Sequence, residues 1–236
     1  MINKLLIIIG IIGMLLILLP ILVNFQSPTN LSALAEEYVR GSVNDLKSPN
    51  VVTSVVVTYR GLDTLGEVTV LFLATLGVGF LLENKKNKST QRTVSENIRT
   101  TSSFLVSLIM VLGIYIFTHG HLSPGGGFQG GVVIASGFLL LILSDLDFKI
   151  SHAILRFVES ISGLVYVLIG LIGLVLTIGF LNPAILPLGK YGDLFSAGAI
   201  PLIYSLIGLK VGSELTNIIA TMGSDRSSES VVKEER

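Results

Sequence analysis

The 236-residue chain contains no cysteine. It can therefore form no disulfide, and it lacks the thiolates that bind iron–sulfur clusters and many zinc ions. Its three histidines, at positions 119, 121 and 152, do not have the spacing of a zinc site. Disulfide, iron–sulfur and thiolate–metal chemistry on this chain is thereby excluded.

Charged residues are also scarce. They make up 14% of the sequence, against roughly 25% in an average soluble domain. Half of the residues are apolar, and the mean hydropathy is +0.79. The 16 basic and 16 acidic residues balance, so nothing indicates a nucleic-acid partner. This composition predicts an integral protein of the cell membrane, surrounded by the lipid bilayer.

Six apolar segments reach or approach the length of about 20 residues that spans a bilayer. They predict an all-α, multi-pass fold of about six transmembrane helices, at residues 5–23, 64–82, 102–118, 130–144, 160–181 and 196–215. Residues 51–60, which precede the second span, are expected at the membrane interface or in a half-span. Gly61 is the expected break, with the crossing helix starting near Asp63.

The first apolar segment has two interpretations. Ala33-Leu34-Ala35 resembles the small-residue cleavage site of a signal peptide. However, the apolar stretch exceeds the usual ~7–15 residues, and the site lies about ten residues too far downstream. We therefore expect a retained helix.

A basic, polar linker at 83–101 divides the predicted helices. It separates a two-helix part (1–82) from a four-helix part (102–215), which a polar tail (216–236) follows. Since lysine and arginine favour the cytoplasmic side, placing this linker inside predicts that both termini are cytoplasmic. The glycine-rich string at 124–131 then faces outward.

Two carboxylates mark the second span. Asp63 and Glu67 are four residues apart and share a helical face. An acid within a span costs at least roughly 2.5 kcal/mol, so such groups usually face a cavity or a partner. The alternative is that Asp63 caps the helix and Glu67 lies at headgroup level. We favour the cap for Asp63 and an ion path for Glu67, because fifteen uncharged residues follow Glu67.

A glycine-rich string interrupts the apolar runs after the third span. We call it the glycine hinge; it comprises Pro124, Gly125, Gly126, Gly127, Phe128, Gln129, Gly130 and Gly131. A G-x-G-x-x-G pattern is present, but it follows no strand and lacks the acidic partner of a dinucleotide site. The glycines permit close helix approach, and exposed N–H groups there could hold an ion or water. A tight turn for helix packing is the simpler interpretation.

Three further polar positions are candidates. His121, nearer the hinge than His119, could line a path, since histidine titrates near neutral pH; otherwise both histidines anchor at the interface. Lys210 and Glu214, four apart in an apolar helix, could serve an ion path or form only a structural pair. Glu159 is expected to be interfacial.

The string "GHLSPGGGFQGGVVIASG" resembles the signature of the B subunit of the multisubunit Mrp-type sodium/proton antiporters. The resemblance covers about residues 99 to 223. Separately, "VVTSVVVTYRGLDTLGEVTVLFLATLG" is similar to a segment near the C-terminus of the large A subunit. In membrane-bound hydrogenases and sulfur-reducing complexes, which carry the same module, that segment forms a separate small subunit. Here the two are joined by the linker.

The resemblance implies an accessory subunit that catalyses nothing alone and binds no cofactor. Its partners would be the large proton-pumping subunits and the small subunits of the module, and Na+ and H+ would be the transported ions. The glutamate thought to line the path corresponds to Glu67, and the histidine before P-G-G-G corresponds to His121. A purely structural scaffold that spaces the pumping subunits is the alternative. An antiporter, a hydrogenase and a sulfur-reducing complex stay open as the parent.

Overall fold

The computed structural model describes residues 2–24, 30–82, 94–145, 148 and 150–224. The chain divides into two compact units, one up to Glu37 and one from Tyr38 onward. The first unit contains α1 (Ile2–Asn24) and the start of α2 (Ala33–Asn44). Most of the basic linker and of the polar tail lies outside the described residues.

The described residues of the second unit are helical, with no strand among them. After α2 come α3 (Val51–Ser54), a π-helical turn (Val55–Tyr59), α4 (Gly61–Leu82), α5 (Glu96–Thr118), α6 (Gly127–Ser144), α7 (His152–Thr177), a 3-10 turn (Pro183–Ile185) and α8 (Ile200–Ser224). Helices α4 to α8 are each long and apolar enough to cross a membrane. The predicted all-helical membrane fold is confirmed. For α1, only Ile7–Pro20 qualifies as an apolar stretch, so its crossing stays a prediction.

The helices are generally longer than the apolar segments. For example, α5 begins at Glu96 and α7 at His152, six and eight residues before the predicted spans. Helix hydrogen bonds do not require apolar side chains, so a helix continues into polar surroundings until a cap or a turn residue ends it. At the start of α7 the side chain of Ser151 accepts from the backbone N–H of Ile154, which is an N-cap.

A short broken helix precedes α4, as the sequence predicted. Asn50 caps it by accepting from the N–H of Thr53, and the chain leaves helical geometry at Arg60 (φ −122°, ψ 34°). Gly61 then packs against Leu181, whose Cδ1 lies 2.9 Å from the position of an added Cβ. Val57 is fully buried. The segment is therefore held inside protein as a half-helix that turns into α4.

Helix α8 is the centre of the second unit. It packs against α4, α5, α6 and α7, and half of its span is buried, against 11% for α4. Its buried stripe consists of Ile200, Ile203, Tyr204, Ile207 and Val211. Consequently α4 presents most of its surface outward, where another subunit or lipid must cover it.

The order of the helices along the chain shows which helix ends lie together at each end of the bundle. Helices α5 and α7 end, and α4, α6 and α8 begin, at the end that carries the glycine hinge; we call this the hinge end. The opposite end carries the start of α7 and the last turns of α4 and α8.

Candidate functional site

The glycine hinge begins α6 and sets it between two neighbours. An added Cβ at Gly130 would lie 2.7 Å from the carbonyl oxygen of Gly113 on α5, and one at Gly131 would lie 2.8 Å from that of Gly208 on α8. Such distances leave no room for a side chain. Gly125, at φ 142°, also adopts a backbone conformation that favours glycine. The hinge glycines thus give α6 its close backbone contacts on both sides.

The half-helix before α4 binds the turn that leads into the hinge. The side-chain amide of Asn50 donates to the carbonyls of Gly120 (2.8 Å) and Ser123 (2.9 Å). The hydroxyl of Thr53 donates to the same Gly120 oxygen at 2.6 Å. The carbonyl of His121 accepts from the backbone N–H of Asn50 at 3.0 Å and from the hydroxyl of Ser48 at 3.1 Å. Gly120 and His121 are buried, so their carbonyls would otherwise lack a partner away from water.

His121 is fully buried beneath this turn. Neither ring nitrogen has a hydrogen-bond partner among the described residues. Burial is the largest influence on the imidazole and lowers the pKa of His121. Backbone groups of Asp193 and Leu194 lie near the ring and favour its charged form. These groups are outside hydrogen-bond geometry, and burial is the larger influence on the pKa. His119 instead stacks on Tyr115, with ring centroids 4.2 Å apart.

The two carboxylates at the start of α4 have different surroundings. Asp63 forms an ion pair with Arg60, with 2.5 Å between Nη2 and Oδ2, and both side chains are more than half exposed. Glu67, one turn further, is exposed and forms no hydrogen bond or ion pair within the described part of the chain. The phenols of Tyr166 and Tyr204 lie within electrostatic range of its carboxylate. The structure therefore does not join Asp63 and Glu67 in one buried site.

Lys210 and Glu214 form the ion pair that their spacing suggested. The ammonium of Lys210 donates to Oε1 of Glu214, and the two side chains are 12% and 0% exposed. The ammonium also lies 5.2 Å from the ring centroid of Phe72 on α4, within the range of a cation–π contact. Its stem crosses α7 at Gly163, where an added Cβ would stand 3.5 Å from Cδ of Lys210. The pair is thus enclosed by α4, α7 and α8.

Glu159 was expected only at the membrane interface. In the structure this half-buried carboxylate lies within Coulombic range of Lys210 and of Glu214. It also lines a cavity of about 360 Å³ between α4, α7 and α8, together with Phe72, Arg156, Ser160, Asn217 and Thr221. Only the packing of α7 on α8 brings these groups together, so no spacing within one helix could have shown it.

The candidate residues therefore lie in three separate parts of the structure. The hinge and His121 lie at the hinge end, Glu67 is exposed near the start of α4, and Lys210–Glu214 lies towards the opposite end. Within the described ranges, no group of three or more His, Cys, Asp or Glu residues could hold a metal ion.

In the part of the chain that the structure describes, five helices of membrane-spanning length around a buried ion pair define a polytopic membrane protein. A family model described as "Domain related to MnhB subunit of Na+/H+ antiporter" matches residues 97–217. A second model, MbhE, which describes the E subunit of MBH, matches residues 3–99. The chain belongs to the family of MnhB-related antiporter subunits, and an MbhE domain precedes its MnhB domain.

Relatives share the sequence to different extents. An uncharacterised protein of Methanocaldococcus jannaschii is 31% identical over 193 residues, which are 69% of this chain and 72% of that protein. The putative antiporter subunit mnhB2 of Staphylococcus aureus (strain Newman) is 32% identical over 83 residues, or 31% of this chain. The chain spans 59% of the length of that staphylococcal subunit.

Two solved complexes contain similar chains. One belongs to the membrane-bound sulfane sulfur reductase, an archaeal respiratory membrane complex, with 40% identity, a TM-score of 0.80, and coverage of 94% of this chain and 98% of that one. The other belongs to the Mrp complex of Dietzia sp. DQ12-45-1b, with 23% identity, a TM-score of 0.76, and coverage of 96% and 26%. The second likeness shows the fold alone.

The predicted resemblance is confirmed for both parts of the chain. The protein is a multi-pass membrane protein of the MnhB-related antiporter subunit family, and the solved chains that it resembles belong to multisubunit membrane complexes.

Proposed function

We propose that this subunit contributes to the path by which its module moves sodium ions or protons across the membrane. On its own it catalyses no reaction and binds no cofactor; Na+ and H+ are the transported ions. The parent we propose is a respiratory complex related to the sulfane sulfur reductase, because that likeness extends over nearly the full length of both chains.

One observation carries the proposal. Within the described part of the chain, Glu67 is an exposed carboxylate without an ion-pair partner, and it lies on α4, whose span is 11% buried. An acid facing lipid there would cost at least roughly 2.5 kcal/mol. Since the chain's partners are membrane subunits, the carboxylate is expected to face one of them across a polar or hydrated contact. An ion path between subunits has this arrangement.

The other candidate residues take lesser roles in this proposal. Asp63 is occupied by Arg60, so it would modulate the entrance to the path rather than carry an ion. His121 and the hinge hold the hinge-end turn in place, with both termini of the chain on the cytoplasmic side and the hinge facing out. Lys210 and Glu214 lie deeper along the same bundle.

The test is Glu67→Gln in the assembled complex, reconstituted in proteoliposomes. We expect normal assembly and a loss of sodium-dependent proton transport, because the amide keeps the shape but cannot carry the charge. Glu36→Gln, which alters an exposed acid in α2, is the matched control and should transport normally. Unchanged transport by an assembled Glu67→Gln complex would refute the proposal.

The scaffold alternative has support of its own in the glycine contacts of α6. Bulky residues at Gly126, Gly127 or Gly131 would meet the side chain or backbone of α8 at 2.7–3.1 Å. A scaffold predicts that these replacements block assembly while Glu67→Gln is silent. Measuring subunit co-purification and transport on the same preparations separates the two functions.

A further inference from the structure

Three charged side chains form a cluster away from the hinge. Lys210 and Glu214 pair within α8, and Glu159 of α7 lies within Coulombic range of both. We call these three residues the buried cluster. They lie towards the end opposite the hinge, since α7 begins and α8 ends there.

The charges of the buried cluster do not balance. Two carboxylates surround one ammonium, which leaves one excess negative charge if both acids are ionised. A further cation, Arg156, lies within Coulombic range of Glu159. Its side chain is exposed, with Nε donating to the carbonyl of His152 at 3.3 Å, so water weakens its interaction with the carboxylate. An uncompensated charge in a buried site is strongly unfavourable. A proton shared between Glu159 and Glu214 removes this excess.

An unsatisfied atom points to the same conclusion. Oε2 of Glu214 is buried and has no hydrogen-bond partner among the residues that the structure describes, although Oε1 binds Lys210. Buried carboxylate oxygens without a donor are rare. A proton on this oxygen, or a water molecule beside it, would supply the missing hydrogen.

The cavity between α4, α7 and α8 gives the buried cluster an entrance. At about 360 Å³ it has room for roughly ten water molecules at ~30 Å³ each. Ser160, Asn217 and Thr221 supply polar groups to its wall. Of the buried cluster, Glu159 alone lines it, so the order from solvent inwards is Glu159, Lys210, Glu214.

We propose that the buried cluster is a proton-exchange site, supplied with water through this cavity from the side of the membrane opposite the hinge. The inference rests on the proposed ion-path function. It adds the cavity as the entrance, the proton as the ion, and the membrane side opposite the hinge as the side of entry. A proton suits the site better than a metal cation, because hard cations need a cage of several oxygen ligands. The described residues hold no such group of acids.

The other titratable groups around the site are few. On α7 these are Arg156 and His152, whose Nδ1 lies 2.8 Å from Oδ1 of Asn217 in the cavity wall. From α4 the neighbouring residue is Phe72, and α4 carries no titratable residue from 68 to 82. Changes in transport with pH are therefore expected to trace to the buried cluster.

The test compares a double variant with a matched control in the whole complex. Lys210→Met/Glu214→Gln removes both charges and leaves neither partner alone, so assembly should be retained. We expect proton transport in proteoliposomes to fall by roughly a hundredfold or more, the scale of a lost proton-transfer group. Arg99→Met/Asp145→Asn removes a different ion pair (3.0 Å) near the same end and should leave transport unchanged.

A second measurement does not depend on transport. Infrared difference spectra of the purified complex between two pH values should show a protonated-carboxyl band that disappears in Glu159→Gln or Glu214→Gln. If the double variant assembles and transports as the wild type does, the inference is wrong. If the double variant fails to assemble, absence of the band from the wild-type complex would overturn it equally.

Glu67→Gln, run in parallel, separates this inference from the function on which it rests. Loss of transport in Glu67→Gln with a silent double variant would reject the buried cluster and keep the ion path. Loss in the double variant alone would keep the buried cluster and reject Glu67. Silence in both would reject both.

Discussion

The contact between α6 and α8 allows a matched pair of glycine substitutions. Gly131 on α6 and Gly212 on α8 face each other across this contact. An added Cβ at Gly131 would lie 2.8 Å from the oxygen of Gly208 and 2.9 Å from the nitrogen of Gly212. One at Gly212 would lie 3.4 Å from the oxygen of Gly131, an ordinary van der Waals distance. The same chemical change therefore meets a rigid backbone in one case and open contact in the other.

The expected energies follow from two terms. Replacing a helical glycine by alanine gains about 1 kcal/mol in helix propensity. At Gly131 the clash must be relieved by moving α6 and α8 apart, and overpacking of this kind costs typically about 1–3 kcal/mol. We therefore expect Gly212→Ala to be neutral or stabilising. Both variants gain the same helix propensity, so their difference is the cost of the clash alone. Gly131→Ala should therefore be less stable than Gly212→Ala by about 1–3 kcal/mol.

The assay is thermal unfolding of the detergent-purified complex. Its readout is the fraction of this subunit that stays with its partners after heating. Both variants are compared with the wild type at one protein and detergent concentration. Equal stability of Gly131→Ala and Gly212→Ala would refute the argument, because the two differ only in the atoms that the new methyl group meets.

Two other predictions test the hinge end. Burial lowers the pKa of His121 below its ordinary 6.5, so on acidification the unfolded chain takes up the proton before the folded protein does. The stability that the neutral ring contributes is therefore complete above about pH 6.5, and it declines as the pH falls towards the folded-state pKa. His121→Leu should remove this component, and an unchanged slope of the unfolding midpoint between about pH 7 and pH 5 would contradict the assignment. Asn50→Ala removes the side-chain donor to the partly buried carbonyl of Ser123, a loss of about 0.5–1.5 kcal/mol, and should raise hydrogen exchange at residues 120–123. Asn30→Ala, at an exposed position, is the control and should leave that exchange unchanged.

The sequence was informative wherever a feature depends on neighbours along one helix. Hydropathy located α4 to α8, since a span needs a continuous apolar run. The break at Gly61 and the Lys210–Glu214 pair also follow from local spacing, because residues four apart lie on one helical face. The signature from Gly120 to Gly137 indicated the family through its residues alone.

Features that depend on contacts between helices could not be predicted in this way. At helical spacing Glu159 has Arg156, a pairing typical of an interfacial position, and its place beside Lys210 arises from the packing of α7 on α8. Asn50 and Thr53 have the appearance of ordinary cap and helix residues, yet their hydrogen bonds reach residues about seventy positions away. The site residues themselves stay predictions until the variants are measured.

The bonds from Ser48, Asn50 and Thr53 to residues 120–123 tie together two portions that match separate family models. Where such portions are encoded as independent polypeptides, their copy numbers must be matched during biogenesis, and each interface has to form by collision. Here a single translation product delivers one of each, already tethered. A chain cut between 83 and 93 should therefore still pair through the same contacts, with the covalent connection serving stoichiometry rather than recognition.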